Sequence, residues 1–312
     1  GLDLIGKIRD DQSRAVLASD LEEETLRLNK KESVRELRSE EPLVSGSRVE
    51  PVVKVPVPPD LIQHVLRDYD LNEVFSYINP TMLYNRHLGF RGARFSEALE
   101  NRDKKAMELH EKVQNIEEFM LSRPDIQAHA TYRFFRAGSK GDSVLIMSPD
   151  GETTLEEFAF QRQTTGEGLC LADYFNPVNS GEPDYIGMFV TTVGPGVRAL
   201  AEEWKDRGDY LGSHIMQILA LEGAEGFAEL LHQRMRAMWG SPDQPEISKQ
   251  DLFKSSYIGR RFSFGYPACP RLDDQAGIWR LLEPDKEIGV HLTDEFMMDP
   301  EGSVSALVIH HP

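Results

Sequence analysis

HATYRFFRAGSKGDSVLIMSPDG occupies residues 129–151. β-Branched and aromatic residues fill both halves, and Gly138-Ser139-Lys140-Gly141 stands between them. The pattern predicts two short strands folded back on each other at that glycine-flanked turn. Just upstream, RFSEALENRDKKAMELHEKVQNIEEFMLS places Ala106, Leu109, Val113, Ile116 and Met120 at helical spacing. One long amphipathic helix is expected there. The period of the chain therefore changes near residue 129, from a helical block to a block of strands.

Working outward, TLEEFAFQRQ (154–163) alternates and can join the hairpin, and DYIGMFVTTVG (184–194) is a more apolar strand. Residues 196–239 read as helix with a break near Gly208; in the second half Ala224, Phe227, Leu231 and Met238 form an apolar stripe. Ser248 to Asp251 has the S-x-x-D form of a capping box. The end, SVSALVIHHP, returns to strand. Before the long helix, DLIQHVLRDYDLNEVFSYI reads as helices broken near Asp70. Helices come in blocks and strands as hairpin-like neighbours, so the fold class is α+β, an antiparallel sheet with flanking helices.

The first fifty residues differ. ASDLEEETLRLNKKESVRELRSEEP (18–42) sets a few leucines among dense charges and reads as an exposed helical arm. VEPVVKVPVPPDL (49–61) follows, and its prolines favour an extended, semi-rigid strap. The expected division is a linker arm over 1–58 and a compact domain over 59–312. A chain that opens on Gly1 fits a piece of a longer protein. The formal charge of −17 argues against a nucleic-acid surface, which needs a basic face to displace counterions. No apolar run approaches the roughly 18–20 residues of a membrane span, and no signal peptide opens the chain. The two cysteines, Cys170 and Cys269, give neither a disulfide framework nor metal-ligand spacing, which fits a cytoplasmic protein.

RRFSFGYPACPRLDDQ (260–275) is the stretch with most chemistry. Pro267 and Pro270 exclude a helix. Gly265 permits a positive φ or a close backbone approach, and Tyr266 adds a flat ring with a polar tip. The stiffened backbone can offer N–H and C=O groups at fixed positions, suited to an adenine edge or a carboxylate. Arg261, four residues ahead of Gly265, carries a planar guanidinium suited to a carboxylate. On these residues alone, a surface loop with an arginine in an ion pair fits equally well.

GYPACP with an arginine four residues ahead resembles the S-adenosylmethionine signature of the activation domain of cobalamin-dependent methionine synthases. YINPTMLYNRHLGFRG, GLCLADYFNP, GEPDYIGMFVTTVG, LEGAEGFAELLHQRMRAMWG and IWRLLEPDKEIGVHLTDEFMMDPEGSVSALVIHHP resemble that domain in the same order. The resemblance covers roughly residues 59–312, and the arm before it resembles the linker to the cobalamin-binding domain. It implies a single C-shaped α+β body with a shallow groove for S-adenosylmethionine. That ligand's methyl group passes to cobalamin carried by the neighbouring domain, after inactivation to cob(II)alamin, with an electron from flavodoxin or a flavodoxin-like reductase. It implies no catalytic side chain and no metal ligand here, and no turnover by this domain alone.

Carried over residue by residue, the resemblance gives Arg261 the ligand carboxylate. Ser263, Gly265 and Tyr266 are ligand contacts, largely through backbone, and Glu225 faces the ligand's positive end. Pro267, Ala268, Cys269 and Pro270 are structural. Two ligand positions depart from the family's acidic pattern, Asn79 in YINP and Ser255 two residues before Tyr257; a family tyrosine beyond the final His-Pro has no counterpart, so a truncated tail is expected. These departures keep two alternatives in view: an interaction module with a degenerate site that caps a cobalamin protein, and a separately encoded reactivator of a split enzyme. By position alone Glu225 reads as a solvated charge on a helix already rich in Glu222 and Glu229, and the motif match reverses that. His310 and His311 read as structural, and His214 and His232 as satisfied or solvated histidines on helices. Lys254, Arg260, Arg261 and Arg271 could form a basic patch for an acidic reductase.

Overall fold

A computed structural model of the chain describes residue 49 and residues 54–91, 94–164 and 168–311. Most of the charged arm read from the sequence lies outside the described residues. Among the described residues, those within 49–161 and 170–311 form one compact unit, and those within 162–169 belong to a separate group. In the latter group, Gln163 N–H donates to Leu169 C=O and Arg162 Nη1 to Gly168 C=O.

The compact unit opens with β1 (His64–Leu66) and α1 (Leu71–Phe75), whose N-terminus is capped by Asp70. A π-helical turn, Thr81–His87, leads to α2 (Phe95–Glu100) and α3 (Lys104–Leu121). Strands β2 (His129–Lys140), β3 (Ser143–Met147), β4 (Thr154–Ala159) and β5 (Asp184–Thr192) follow. Next come α4 (Val197–Asp206), the 29-residue α5 (Tyr210–Met238), α6 (Lys249–Phe253) and β6 (Arg260–Phe262). Helices α7 (Ala276–Leu282) and α8 (Pro284–Glu287), the small ribbon β7 (His291–Leu292) and β8 (Met298–Asp299), and β9 (Ser303–Ile309) complete the unit.

The main sheet runs β4-β3-β2-β5-β9-β6, with β1 paired to β2, and every pairing is antiparallel. It is covered on both faces. Ala130, Tyr132, Phe134, Phe189, Val304, Ala306 and Val308 face a core built with α1, α3 and α5. Phe135, Ala137, Ile186, Met188, Val190, Leu307 and Ile309 face a second core with Phe158, Phe264, Cys269, Ile278 and Leu282. All nine residues of β5 are buried, which is why its sequence reads as a continuous apolar run.

The α+β class, the antiparallel sheet, the break at Gly208 and the Ser248–Asp251 capping box match the sequence reading. Three local expectations are corrected. The long helix before the sheet is two helices, because Arg102 takes φ 54° and Asp103 starts a new helix by accepting the Ala106 N–H. The segment before Asp70 contains a strand, because residues 64–66 pair with 130–132 and Gln63 donates to Thr131 and to the Leu282 carbonyl. Gly138 to Lys140 belong to β2, and the chain reverses at Gly141, so Lys140 faces Ser143. Gly138 has another cause: a Cβ there would lie 2.7 Å from Val178 Cγ1.

Candidate functional site

A cleft of about 460 Å³ opens between the 77–87 segment, α5, the end of α6 and the β6 region. Arg261, Glu225, Asn79, Ser255 and Tyr266 line it together. These five come from separated parts of the chain. Side chains alternate along a strand, so successive arginines of β6 part company. Arg261 reaches the acids of α5, with Nη2 3.4 Å from Glu225 Oε2 and 3.5 Å from Glu229 Oε2. Arg260 instead donates to the carbonyls of Tyr257 and Gly259.

The loop after β6 is stiff for visible reasons. Gly265 sits at φ 87°, in left-handed space where other residues are strained. Its N–H donates to the Cys269 carbonyl, and the Cys269 N–H returns to the Tyr266 carbonyl, both at 2.9 Å. Cys269 is buried and its Sγ donates to the Ser263 carbonyl. Burial pushes its thiol up to about 12. Pro267 and Pro270 lie at the exposed side of this closed loop, and Ala268 packs toward the second core. Tyr266 is left 64% exposed at the lip of the cleft. Ser263 and Gly265 do not line the cleft; Ser263 Oγ donates to the Ser305 carbonyl and ties the loop to β9.

Asn79 accepts the Thr81 N–H through Oδ1 and so fixes the entry of the π-helical turn. Ser255 takes φ 54° after α6, and its hydroxyl lies 3.5 Å from the Tyr257 hydroxyl. That tyrosine also reaches Glu229 Oε2 at 3.4 Å.

The sequence reading missed several residues here. Glu222 and Glu229, not named among the expected ligand contacts, are buried, at 4% and 6% exposure, and both line the cleft. With Glu225 they repeat at i, i+3 and i+7, on one face of α5. The available signal was three acids inside an otherwise small and apolar run, LALEGAEGFAELL. Burial raises Glu222 to about 7, helped by the neighbouring Glu225. Burial also raises Glu229, against the opposing pull of Arg261 and Arg236. Arg86 and His87, on the π-helical turn, complete that wall with Met82 and Tyr77. Nothing in the sequence marks a π-helical turn.

Behind the cleft, Arg236 is buried against Asp243 at 2.6 Å and lies 3.6 Å from the centre of the Tyr257 ring. His232 is fully buried beside it and is held well below its ordinary range by burial and then by Arg236. Glu229 Oε1, His232 Nε2 and Arg236 Nε have no hydrogen-bond partner among the described residues. His310, at the end of β9, meets Asp184 at 2.9 Å and is a structural group, as expected. The basic patch does not form as drawn. Arg271 pairs with Asp273 and Asp274, and Arg261 is turned toward acids. No described helix is long and apolar enough to cross a membrane.

The family model described as vitamin B12 dependent methionine synthase, activation domain, matches residues 70–312. Methionine synthase of Mycobacterium tuberculosis is 31% identical over 278 residues, which cover 83% of this chain and 23% of that protein. Methionine synthase of Mycobacterium leprae is 28% identical over 276 residues, with the same coverage of each chain. The chain thus spans 23% of the length of these relatives. A crystal structure of the MetH reactivation domain bound to AdoHcy superposes with a TM-score of 0.78 at 30% identity, covering 83% of this chain and 81% of that one. Together with the order of elements and the cleft at GYPACP, these likenesses decide the matter: the chain belongs to the family of activation domains of vitamin B12 dependent methionine synthase.

Proposed function

We propose that the cleft binds S-adenosylmethionine and holds its methyl group toward cobalamin carried by a neighbouring domain of the same enzyme. One observation carries the reading: Arg261, Glu225, Asn79, Ser255 and Tyr266, distant in sequence, line a single cleft. The donor set fits the ligand. A half-buried guanidinium suits its carboxylate. Three carboxylates, one with an unpartnered buried oxygen, suit its ammonium and sulfonium. The closed loop at 265–269 leaves the N–H and C=O of Ala268 outside its internal hydrogen bonds, available to an adenine edge. The related MetH domain was crystallised with AdoHcy, the demethylated form of the same ligand.

Bound cobalamin supplies the reduced cobalt that accepts the methyl. The residues of this chain bind and orient, and the acceleration comes from placing two reactants. A cleft open at the Tyr266 lip suits that task, because a methyl donor enclosed on all sides could not reach a second domain. In this reading residues 1–58 are the linker to the cobalamin-binding domain and 59–312 the ligand-binding domain. Flavodoxin or a flavodoxin-like reductase supplies the electron in the cytoplasm, and the isolated domain does not turn over.

Calorimetric titration tests the binding. Wild type takes up S-adenosylmethionine, and Arg261→Ala, which deletes one charge-assisted contact of about 1.5–3 kcal/mol, weakens it by roughly 10- to 100-fold. Undiminished affinity in Arg261→Ala would overturn the assignment of the carboxylate.

A further inference from the structure

The three acids of the cleft have different electrical neighbours. Arg261 reaches Glu225 and Glu229, whereas the close partner of Glu222 is His87, whose Nε2 lies 2.9 Å from Glu222 Oε1. The Glu222 side chain is only 5% exposed, yet it forms part of the cleft wall. Building on the binding reading above, we propose that the Glu222–His87 pair is the charge selector of the site. It senses a sulfonium and makes the cleft prefer the methyl donor to the neutral thioether left after methyl transfer.

The direction of the cleft supports this. On α5 its lining stops at Glu229 and extends the other way, through Gly226, Glu225, Glu222 and Leu221. Beyond Glu229 the same face is closed by buried His232 and Arg236. A ligand whose carboxylate sits on Arg261 must therefore run toward Glu222. At 1.5 Å of rise per residue, Glu222 lies about 7.5 Å along the helix from the midpoint of the two acids that Arg261 touches. The short aliphatic chain between the carboxylate and sulfur of such a ligand brings the sulfur toward that end.

The pair is also built to change its charge. Burial raises Glu222 to about 7 and lowers His87, the latter helped by Arg86 and His214, so near neutrality Glu222 can give up a proton while His87 is held toward its neutral form. The charged groups that act on the pair are Arg86 on the π-helical turn and His214 and Glu225 on α5; Tyr77 and Asn79 from the segment before the turn and Arg261 from β6 line the same cleft. A cation brought into this wall favours the ionised carboxylate, so the proton leaves to solvent. A neutral thioether gives no such push. Donor binding therefore tightens as pH rises through neutrality, and thioether binding follows pH less.

The test compares S-adenosylmethionine with S-adenosylhomocysteine on this chain, by calorimetry at neutral pH in buffers of different ionisation enthalpy. Wild type should release more protons with the donor than with the thioether, a comparison that needs no variant. In Glu222→Gln the difference should vanish. Donor affinity should fall roughly tenfold, the loss of one charge-assisted contact, with thioether affinity held within about twofold. Equal proton release with both ligands, or equal weakening of both in Glu222→Gln, would overturn the selector while leaving the site intact. Failure of wild type to bind either ligand would instead overturn the binding reading on which it rests.

Discussion

Asp243→Ala should be among the most damaging single changes in the domain, although Asp243 lies outside the cleft. Its two carboxylate oxygens accept from Arg236 Nη2 at 2.8 and 2.6 Å, and the side chains of the pair are 2% and 6% exposed. Gln233 Nε2 also donates to Asp243, at 2.9 Å. Removing the carboxylate leaves a buried guanidinium with the His232 nitrogen at 3.0 Å, the Tyr257 ring beneath it and the weaker pull of buried Glu229, and its Nε already lacks a hydrogen-bond partner among the described residues. Breaking a buried pair from one side costs about 3–5 kcal/mol. For a domain of this size each kcal/mol lowers the melting temperature by about 2–4 °C, so a loss near 4 kcal/mol is a drop of roughly 8–16 °C. Arg236→Met in the same background should recover most of the loss, because it removes the stranded charge and keeps an apolar chain of similar length. Thermal melts of the two single variants and the double variant measure the cycle. A loss below about 1 kcal/mol in Asp243→Ala, or a double variant as unstable as the sum of the singles, would refute the claim that Asp243 is the main compensation of the buried Arg236 charge.

Two further outcomes follow from contacts at the site. Gly226→Ala places a Cβ 3.0 Å from the Val74 carbonyl oxygen and 3.1 Å from the Tyr77 carbonyl carbon, both backbone atoms. Overpacking of about 1–3 kcal/mol should outweigh the gain of up to about 1 kcal/mol in helix propensity, and denaturant titration should show a less stable domain; a neutral or stabilised variant would contradict the close packing of α5 on residues 74–78. Cys269 and Cys170 are both buried, and with Cys269 pushed up to about 12 almost none of it is thiolate at pH 8. A disulfide-exchange reagent should label neither in the folded domain and both in denaturant, whereas rapid labelling of folded Cys269 would show that the loop opens.

Periodicity revealed the large elements because burial imposes it. Strand β9 sends Val304, Ala306 and Val308 to one core and Leu307 and Ile309 to the other, so two-sided burial is written into its sequence as an apolar run. Periodicity failed where a neighbour overrode it. Val65 and Leu66 carry no clear alternation, and they are a strand because β2 offers them a partner. The break at Arg102-Asp103 was legible in principle through the capping aspartate, but an apolar stripe that continues on both sides conceals it. At the site, the residues of the GYPACP loop and its arginine could be read locally because their geometry is local. The burial of Glu222, Glu229 and Arg236 could not, since a helical acid or base looks alike on either side of α5 until the π-helical turn, Tyr257 and residue 243 close over it.

The choice of Arg261 over Arg260 shows how the sheet sets the chemistry. Arg261 pairs with Val308 and Arg260 with Ile309, and the two partners point to opposite cores. Register thus assigns Arg261 to the α5 side, where Glu225 and Glu229 wait, and leaves Arg260 to close the preceding loop on its own carbonyls. A slip of one residue would exchange them, since side chains alternate with a period of two. Ser263 opposes such a slip, because its hydroxyl is bonded to the Ser305 carbonyl of β9 and its own carbonyl accepts from Cys269. The serine and the cysteine of the motif therefore act on the cleft without lining it. They fix the register of a three-residue strand, and that register decides which guanidinium faces the cleft.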